Sequence, residues 1–167
     1  MLSLLLLALL AQENSIPLQA KWQGIWQGGL RNYPARAGAK TVEVTVELGE
    51  WPNQEGACSQ WKTTYREEGQ VKGVKDYKLC RGASESEYFV DEGNGIKLPA
   101  RLLDGALVSQ FKYGKTLLTT ILELRDGVLE ERIFTANDEA SSAGVVTMPV
   151  KSLQKLVLRQ AVSSQKP

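Results

Sequence analysis

Histidine is missing altogether from this chain of 167 residues. That removes the commonest general base and the Ser-His and Cys-His pairs that activate nucleophiles. Cysteine is scarce: Cys58 and Cys80 are the whole supply. Two thiols without an imidazole leave the usual N/S metal site short of ligands, so no metal is expected. No P-loop, dinucleotide fingerprint or nucleophile elbow is present. Lys and Arg outnumber Asp and Glu by a net charge of only +1. With no dense basic face, nucleic acid is not expected as a partner. No apolar run approaches the roughly 20 residues that a spanning helix needs, which argues against stable membrane insertion. No Asn-x-Ser/Thr acceptor occurs, so N-glycosylation is not expected. Catalysis, if any, would have to run on carboxylates; a non-catalytic role without a cofactor is the simpler reading.

What the chain does have is a regular set of glycine turns. Asn94-Gly95, Asp104-Gly105, Gly114 before Lys115, and Asp126-Gly127 fall about ten residues apart. Asn-Gly and Asp-Gly supply the positive φ angles of two-residue hairpins, and strand-forming residues flank each one. Turns at strand-length spacing describe an antiparallel meander, and closing it into a barrel removes its exposed edges. Counting from Trp22 gives about ten strands and little helix. The fold class expected is all-β, a single up-and-down barrel over residues 21–162. Residues 12–20 form a lead-in, Glu139 to Gly144 a polar loop, and residues 163–167 a frayed tail.

Each turn fixes a register, and each register sorts residues between two faces. Around Asp104-Gly105 the inner pairs are Leu102 with Leu107, Ala100 with Ser109, Leu98 with Phe111, and Ile96 with Tyr113. Taking Asn94-Gly95 as a two-residue turn puts Phe89 inside opposite Ala100, and Asp91 inside opposite Leu98. The same register sets Glu92 against Lys97 and Tyr88 against Arg101 on the outer wall. Thr41 to Leu48 alternates, with Val42, Val44, Val46 and Leu48 inward. Leu156 and Leu158 face inward on the final strand. The Asp126-Gly127 register pairs Leu124 with Leu129, Leu122 with Glu131, and Thr120 with Ile133. Glu131 is then a carboxylate pointing into an apolar interior, or one close to a wet rim.

Gly69 lies midway between the two cysteines. A hairpin centred there sets Cys58 opposite Cys80 on the outer wall and Trp61 opposite Tyr77 within. An even cysteine count in an exported chain favours a disulfide. Export itself is suggested by Met1 to Ala11, MLSLLLLALLA, an apolar stretch of signal-peptide length with cleavage plausible after Ala11. The expected location is secreted or periplasmic.

The first strand carries a resemblance. Gly24-Ile25-Trp26 resembles the Gly-x-Trp signature on the first barrel strand of lipocalins and related calycins. In those families the Trp closes one end of the barrel and packs on a basic side chain from the last strand, which implies Arg159 stacked on Trp26. The continuation, Gly28-Gly29 then Tyr33-Pro34, is similar to the opening of nitrobindin-like haem barrels. Those hold iron through a histidine that this chain lacks; Tyr33, Tyr113 and Met148 are the side chains that could stand in.

The interior expected from these registers is lined by Phe89, Leu98, Phe111, Tyr113 and Glu131, with Gly24, Trp26, Arg159 and the Cys58–Cys80 pair as structural elements. The function expected is binding of a small apolar or amphipathic molecule inside the barrel. The alternative is a barrel filled by its own side chains, whose rim or wall binds a protein or envelope component.

Overall fold

The computed structural model describes residues 18–137, 139–142 and 145–161. The expected leader over 1–11 and the frayed tail over 163–167 therefore lie outside the described residues. A short 3-10 helix, Leu18–Trp22, leads into the first strand, β1 (Gly24–Tyr33). The wall continues through β2 (Val42–Leu48), β3 (Cys58–Glu67), β4 (Gln70–Arg81) and β5 (Glu87–Asp91). It runs on through β6 (Lys97–Leu103), β7 (Ala106–Tyr113), β8 (Thr116–Arg125) and β9 (Val128–Asn137). A two-stranded excursion, β10 (Glu139–Ser142) with β11 (Val145–Thr147), stands where a polar loop was expected. The last strand, β12 (Val150–Gln160), pairs with both β9 and β1, so ten strands close into one antiparallel barrel.

Glycine chemistry sets the hairpins. Glu68-Gly69, Asp104-Gly105 and Asp126-Gly127 have positive φ at both central residues, between 47° and 77°. This is the twist that suits a two-residue connection. Gly114 alone is positive in the turn from Tyr113 to Thr116. The pairs read around Asp104-Gly105 and Asp126-Gly127 are present: Leu102 with Leu107, Ala100 with Ser109, and Leu122 with Glu131.

The turn near Asn94 is different. Asp91, not Glu92, pairs with Lys97, and Tyr88 pairs with Ala100. The Asp91 carboxylate accepts the Gly93 N–H and the Asn94 side-chain oxygen accepts the Ile96 N–H, both at 2.9 Å. These local bonds hold a three-residue tip, Gly93-Asn94-Gly95, where a two-residue turn was expected. One extra residue flips every side chain of β5. Tyr88 and Val90 are buried in the core, while Phe89 and Asp91 face outward. Phe89 lies under the Lys97 ammonium at 5.1 Å, and Arg101 pairs with Glu87 at 2.8 Å.

The Gly69 hairpin shows the opposite compensation. Its two-residue turn aligns Glu67 with Gln70, and an extra residue at Lys72 then shifts the register between Arg66 and Tyr65. That shift is what sets Cys58 opposite Cys80 and Trp61 opposite Tyr77. The disulfide is formed on the outer wall, with Cys80 fully buried beneath it.

Connections in an up-and-down barrel alternate between its two ends, and the ends differ. At the end that holds the 3-10 helix and the turns after β2, β4, β6 and β8, apolar side chains fill the interior. Trp22, Trp26, Val46, Leu129 and Leu158 are buried there, with Trp51 and Trp61 packed against them. Trp22 meets Trp51 edge-on at 5.1 Å, and the Trp51 indole N–H donates to the Tyr88 hydroxyl at 3.0 Å. The cavity left beside Trp22, Trp51 and Trp61 is about 10 Å3, room for a single water at most. This end is closed.

Trp26 occupies the closing position that the resemblance implies, but its partner is not Arg159. Arg159 pairs with Gln27 on β1, and both are exposed. Residues Leu156 and Leu158 face inward, so strand alternation sends Arg159 outward. The Trp26 indole N–H instead donates to the Trp22 carbonyl at 2.7 Å. The cation over an aromatic ring at this end is Arg81, 5.5 Å from the Tyr88 centroid. Gly28 also serves closure: a Cβ there would lie 2.0 Å from the Val157 carbonyl oxygen, so only glycine lets β12 approach β1 so closely.

Candidate ligand site in the barrel interior

Above the closed end the inward side chains lose their tight packing. Leu122 and Leu156 are buried, whereas Phe111, Leu118, Thr120, Ile133 and Gln154 on the same inner face are half-buried. An inward side chain that keeps accessible surface has open space beside it. Ten strands enclose more room than eight, whose interior is just wide enough for side chains to fill. The inner face is thus closely packed below Leu122, and several of its side chains keep accessible surface above it.

Glu131 stands at that boundary. It points inward between Leu122 of β8 and Leu156 of β12, and it too keeps part of its surface open to the lumen. Burial in this apolar ring pushes its carboxyl pKa up, and the Lys75 ammonium partly opposes the shift. Across the lumen, β3 and β4 add polar groups of their own. Lys75 pairs with Thr63 on the inner face, and its ammonium sits 5.6 Å from the Tyr65 ring centroid. Burial, the Glu131 charge and Tyr77 together raise the Tyr65 hydroxyl to about 12. Tyr65 is therefore a neutral hydrogen-bond donor at any ordinary pH. Tyr77 is raised as well, by burial and by the charge and hydrogen bond of Glu92.

Of the expected lining residues, Leu98, Phe111 and Glu131 face the interior. Phe89 does not: the longer Asn94 tip turns it onto the outer wall. Tyr113 is 82% exposed, because its strand ends at the turn and the side chain projects past the wall. Ile96 is exposed just after the tip that carries Asn94, and Asp91 is outside. Glu92, expected on the outer wall, instead reaches Tyr77. Lys75 and Tyr65 are the site residues that reading the turns missed. Their signal was in the Gly69 hairpin, since Trp61 opposite Tyr77 places Tyr65 and Lys75 on that same inner face.

The stand-in iron ligands do not assemble. Tyr33, Tyr113 and Met148 are all exposed, at 44%, 82% and 41%, and none lines the interior. This set does not fit haem. Among the described residues, no group of three or more His, Cys, Asp and Glu side chains gathers to hold a metal ion.

No protein-family model, no curated protein and no solved structure matches this chain. The closed ten-strand antiparallel barrel is consistent with a lipocalin-like form.

The raised pKa of Glu131 has a consequence for stability. A carboxyl whose folded-state pKa exceeds its unfolded value stabilises the fold only at low pH, and the contribution disappears as pH rises through the folded pKa. Glu131→Gln keeps the shape and removes the titration. The variant is expected to gain stability relative to the native chain between mildly acidic and mildly alkaline buffer. Urea midpoints of both proteins across that range measure it, and a difference independent of pH would contradict it.

Proposed function

We propose that the barrel binds one small amphipathic molecule in its open half, without catalysis. Its polar head sits at the floor, donating hydrogen bonds to Glu131 and accepting one from Tyr65. The apolar body passes Phe111, Leu118 and Ile133 toward the open end. The observation that carries this reading is Glu131 itself, an inward carboxylate in an apolar ring that keeps part of its surface accessible. A few placed polar groups in an apolar cavity orient a ligand, whereas a carboxylate serving only the fold would be costly at that depth. The filled-barrel reading describes the closed half well and leaves the open half unexplained.

The disulfide suits an oxidising compartment. Among the described residues no helix is long and apolar enough to cross a membrane. Both features are compatible with the secreted or periplasmic location that the leader suggests.

The test compares amphiphiles of equal chain length carrying ammonium, hydroxyl or carboxylate heads, measured by displacement of a fluorescent probe. Ammonium and hydroxyl heads are expected to bind better than carboxylate. Glu131→Gln should weaken the ammonium ligand by about tenfold or more, the loss of one charge-assisted hydrogen bond, while leaving the hydroxyl ligand nearly unchanged. Thr120→Trp, which fills the lumen, should abolish binding of both. Binding that survives Thr120→Trp would place the ligand elsewhere and reject the reading.

A further inference from the structure

Exposed apolar side chains are segregated on this molecule. Of the 11 large ones among the described residues, all except Ile25 and Leu103 lie on the open-end half of the barrel. Single exposed apolar residues are ordinary, but a ring of them at one end is the pattern of an interaction site. The ring is built from separate connections. Tyr33 leads into the β1–β2 loop, Val71 follows the β3–β4 turn, Ile96 lies before β6, Tyr113 precedes the β7–β8 turn, and Val146 and Met148 belong to the excursion before β12.

Charge is segregated with them. The connections at the closed end carry Glu50, Glu55, Glu85, Asp104 and Asp126 and contain no Lys or Arg. The open-end connections carry Arg36, Lys40 and Lys115 beside Glu68 and Glu92, and the adjoining strand ends add Arg31 and Lys151. The closed-end cations Lys21, Arg81, Arg125 and Arg159 lie on the 3-10 helix and the strand ends rather than in the connections. Glu68 and Lys40 pair with each other at 3.0 Å, while Glu92 reaches Tyr77 and Asp91 accepts the Gly93 amide. A cleft of about 560 Å3 between the β1–β2 loop and β12 is lined by Asn32, Arg36, Lys151 and Gln154, setting two cations among hydrogen-bonding side chains.

We propose that the open rim docks on an anionic lipid surface, with Tyr33, Ile96, Tyr113, Val146 and Met148 dipping into the headgroup layer and the Arg and Lys side chains meeting lipid phosphates. Apolar tips dispersed among cations match that interface, where shallow apolar burial and attraction to anionic headgroups act together. A protein partner would call for one continuous apolar core rather than tips on separate turns. The barrel stays on the surface, because its outer wall between the ends is charged: Glu123, Arg132, Glu130 and Lys155 form a chain of ion pairs there. Docking in this pose aims the open lumen at the membrane, yet it rests on the rim alone and stands whether or not the lumen takes a ligand.

The test reads which end docks. An environment-sensitive fluorophore is placed at Tyr113→Cys, or at Leu103→Cys on the closed end, in the full disulfide-bonded chain. Vesicles are phosphatidylcholine with or without phosphatidylglycerol. The Tyr113 position is expected to brighten and blue-shift with anionic vesicles only, and the Leu103 position to stay unchanged. In an Arg31→Glu, Arg36→Glu background the lipid concentration at half-shift should rise by roughly tenfold or more. Circular dichroism confirms that each variant is folded. The proposal is overturned if Tyr113 does not respond, if Leu103 responds equally, or if the shift ignores lipid charge. It is overturned equally if the shift follows protein concentration without vesicles, since the occupant is then a second copy of the chain.

Discussion

Trp26→Ala is expected to lower the unfolding free energy by about 3–5 kcal/mol, the cost of removing a large aromatic from a core that cannot collapse around the gap. Trp26 is 2% exposed and packs within the cluster that closes one end of the barrel. Its indole N–H also satisfies the Trp22 carbonyl, so the substitution breaks the tie between the 3-10 helix and β1. Arg159→Ala should change stability little, because Arg159 lies on the solvated outer face of β12. The two changes should therefore add in a double-mutant cycle. Strong coupling measured by urea denaturation would restore the Trp–Arg closure that the lipocalin-like motif implies and would contradict the strand parity described here. Arg81→Ala should cost more than Arg159→Ala, since it loses both the Tyr88 ring contact and a hydrogen bond to the Tyr88 hydroxyl at 3.3 Å.

The second large effect belongs to the disulfide. Cys58 and Cys80 are 22 positions apart, and closing a loop of that length in the unfolded chain contributes on the order of 3 kcal/mol. Reduction should shift the unfolding midpoint downward by a corresponding amount. Intact mass should rise by two hydrogens on reduction. The bond spans the β3–β4 hairpin close to the β4–β5 connection, where Gly56 N–H and Arg81 carbonyl are also joined. Loss should therefore loosen the closed end before the open one, and hydrogen exchange along β4 follows this. Unchanged stability after full reduction would mean that the pairing of β3 with β4 is sufficient alone.

Much of this architecture was legible because turn chemistry and strand alternation determine each other. Asp104-Gly105 and Asp126-Gly127 gave correct registers, and with them the inward placement of Leu107, Leu122 and Glu131. Cys58 and Cys80 were legible from their symmetric spacing about Gly69. The failures have one physical origin. Around Asn94 two side chains, Asp91 and Asn94, bond to the backbone and add a residue to the tip, which reverses the faces of β5. That single residue exchanged Phe89 for Tyr88, and Glu92 for Asp91, between wall and lumen. Arg159 follows strand alternation rather than the partner the opening motif implies, because Leu156 and Leu158 face inward and leave it on the outer wall. The site was only half legible: Glu131 lay within one hairpin, while Lys75 and Tyr65 approach it from across the barrel, through closure that no local pattern encodes.

Native mass spectrometry of the protein purified gently from its own source tests the interior site most directly. The account predicts a retained small-molecule mass in one-to-one proportion, present in the native chain and lost when Thr120→Trp fills the lumen. A bound mass that persists in that variant, or an apo protein that also fails to take up amphiphiles of every head group, would contradict it.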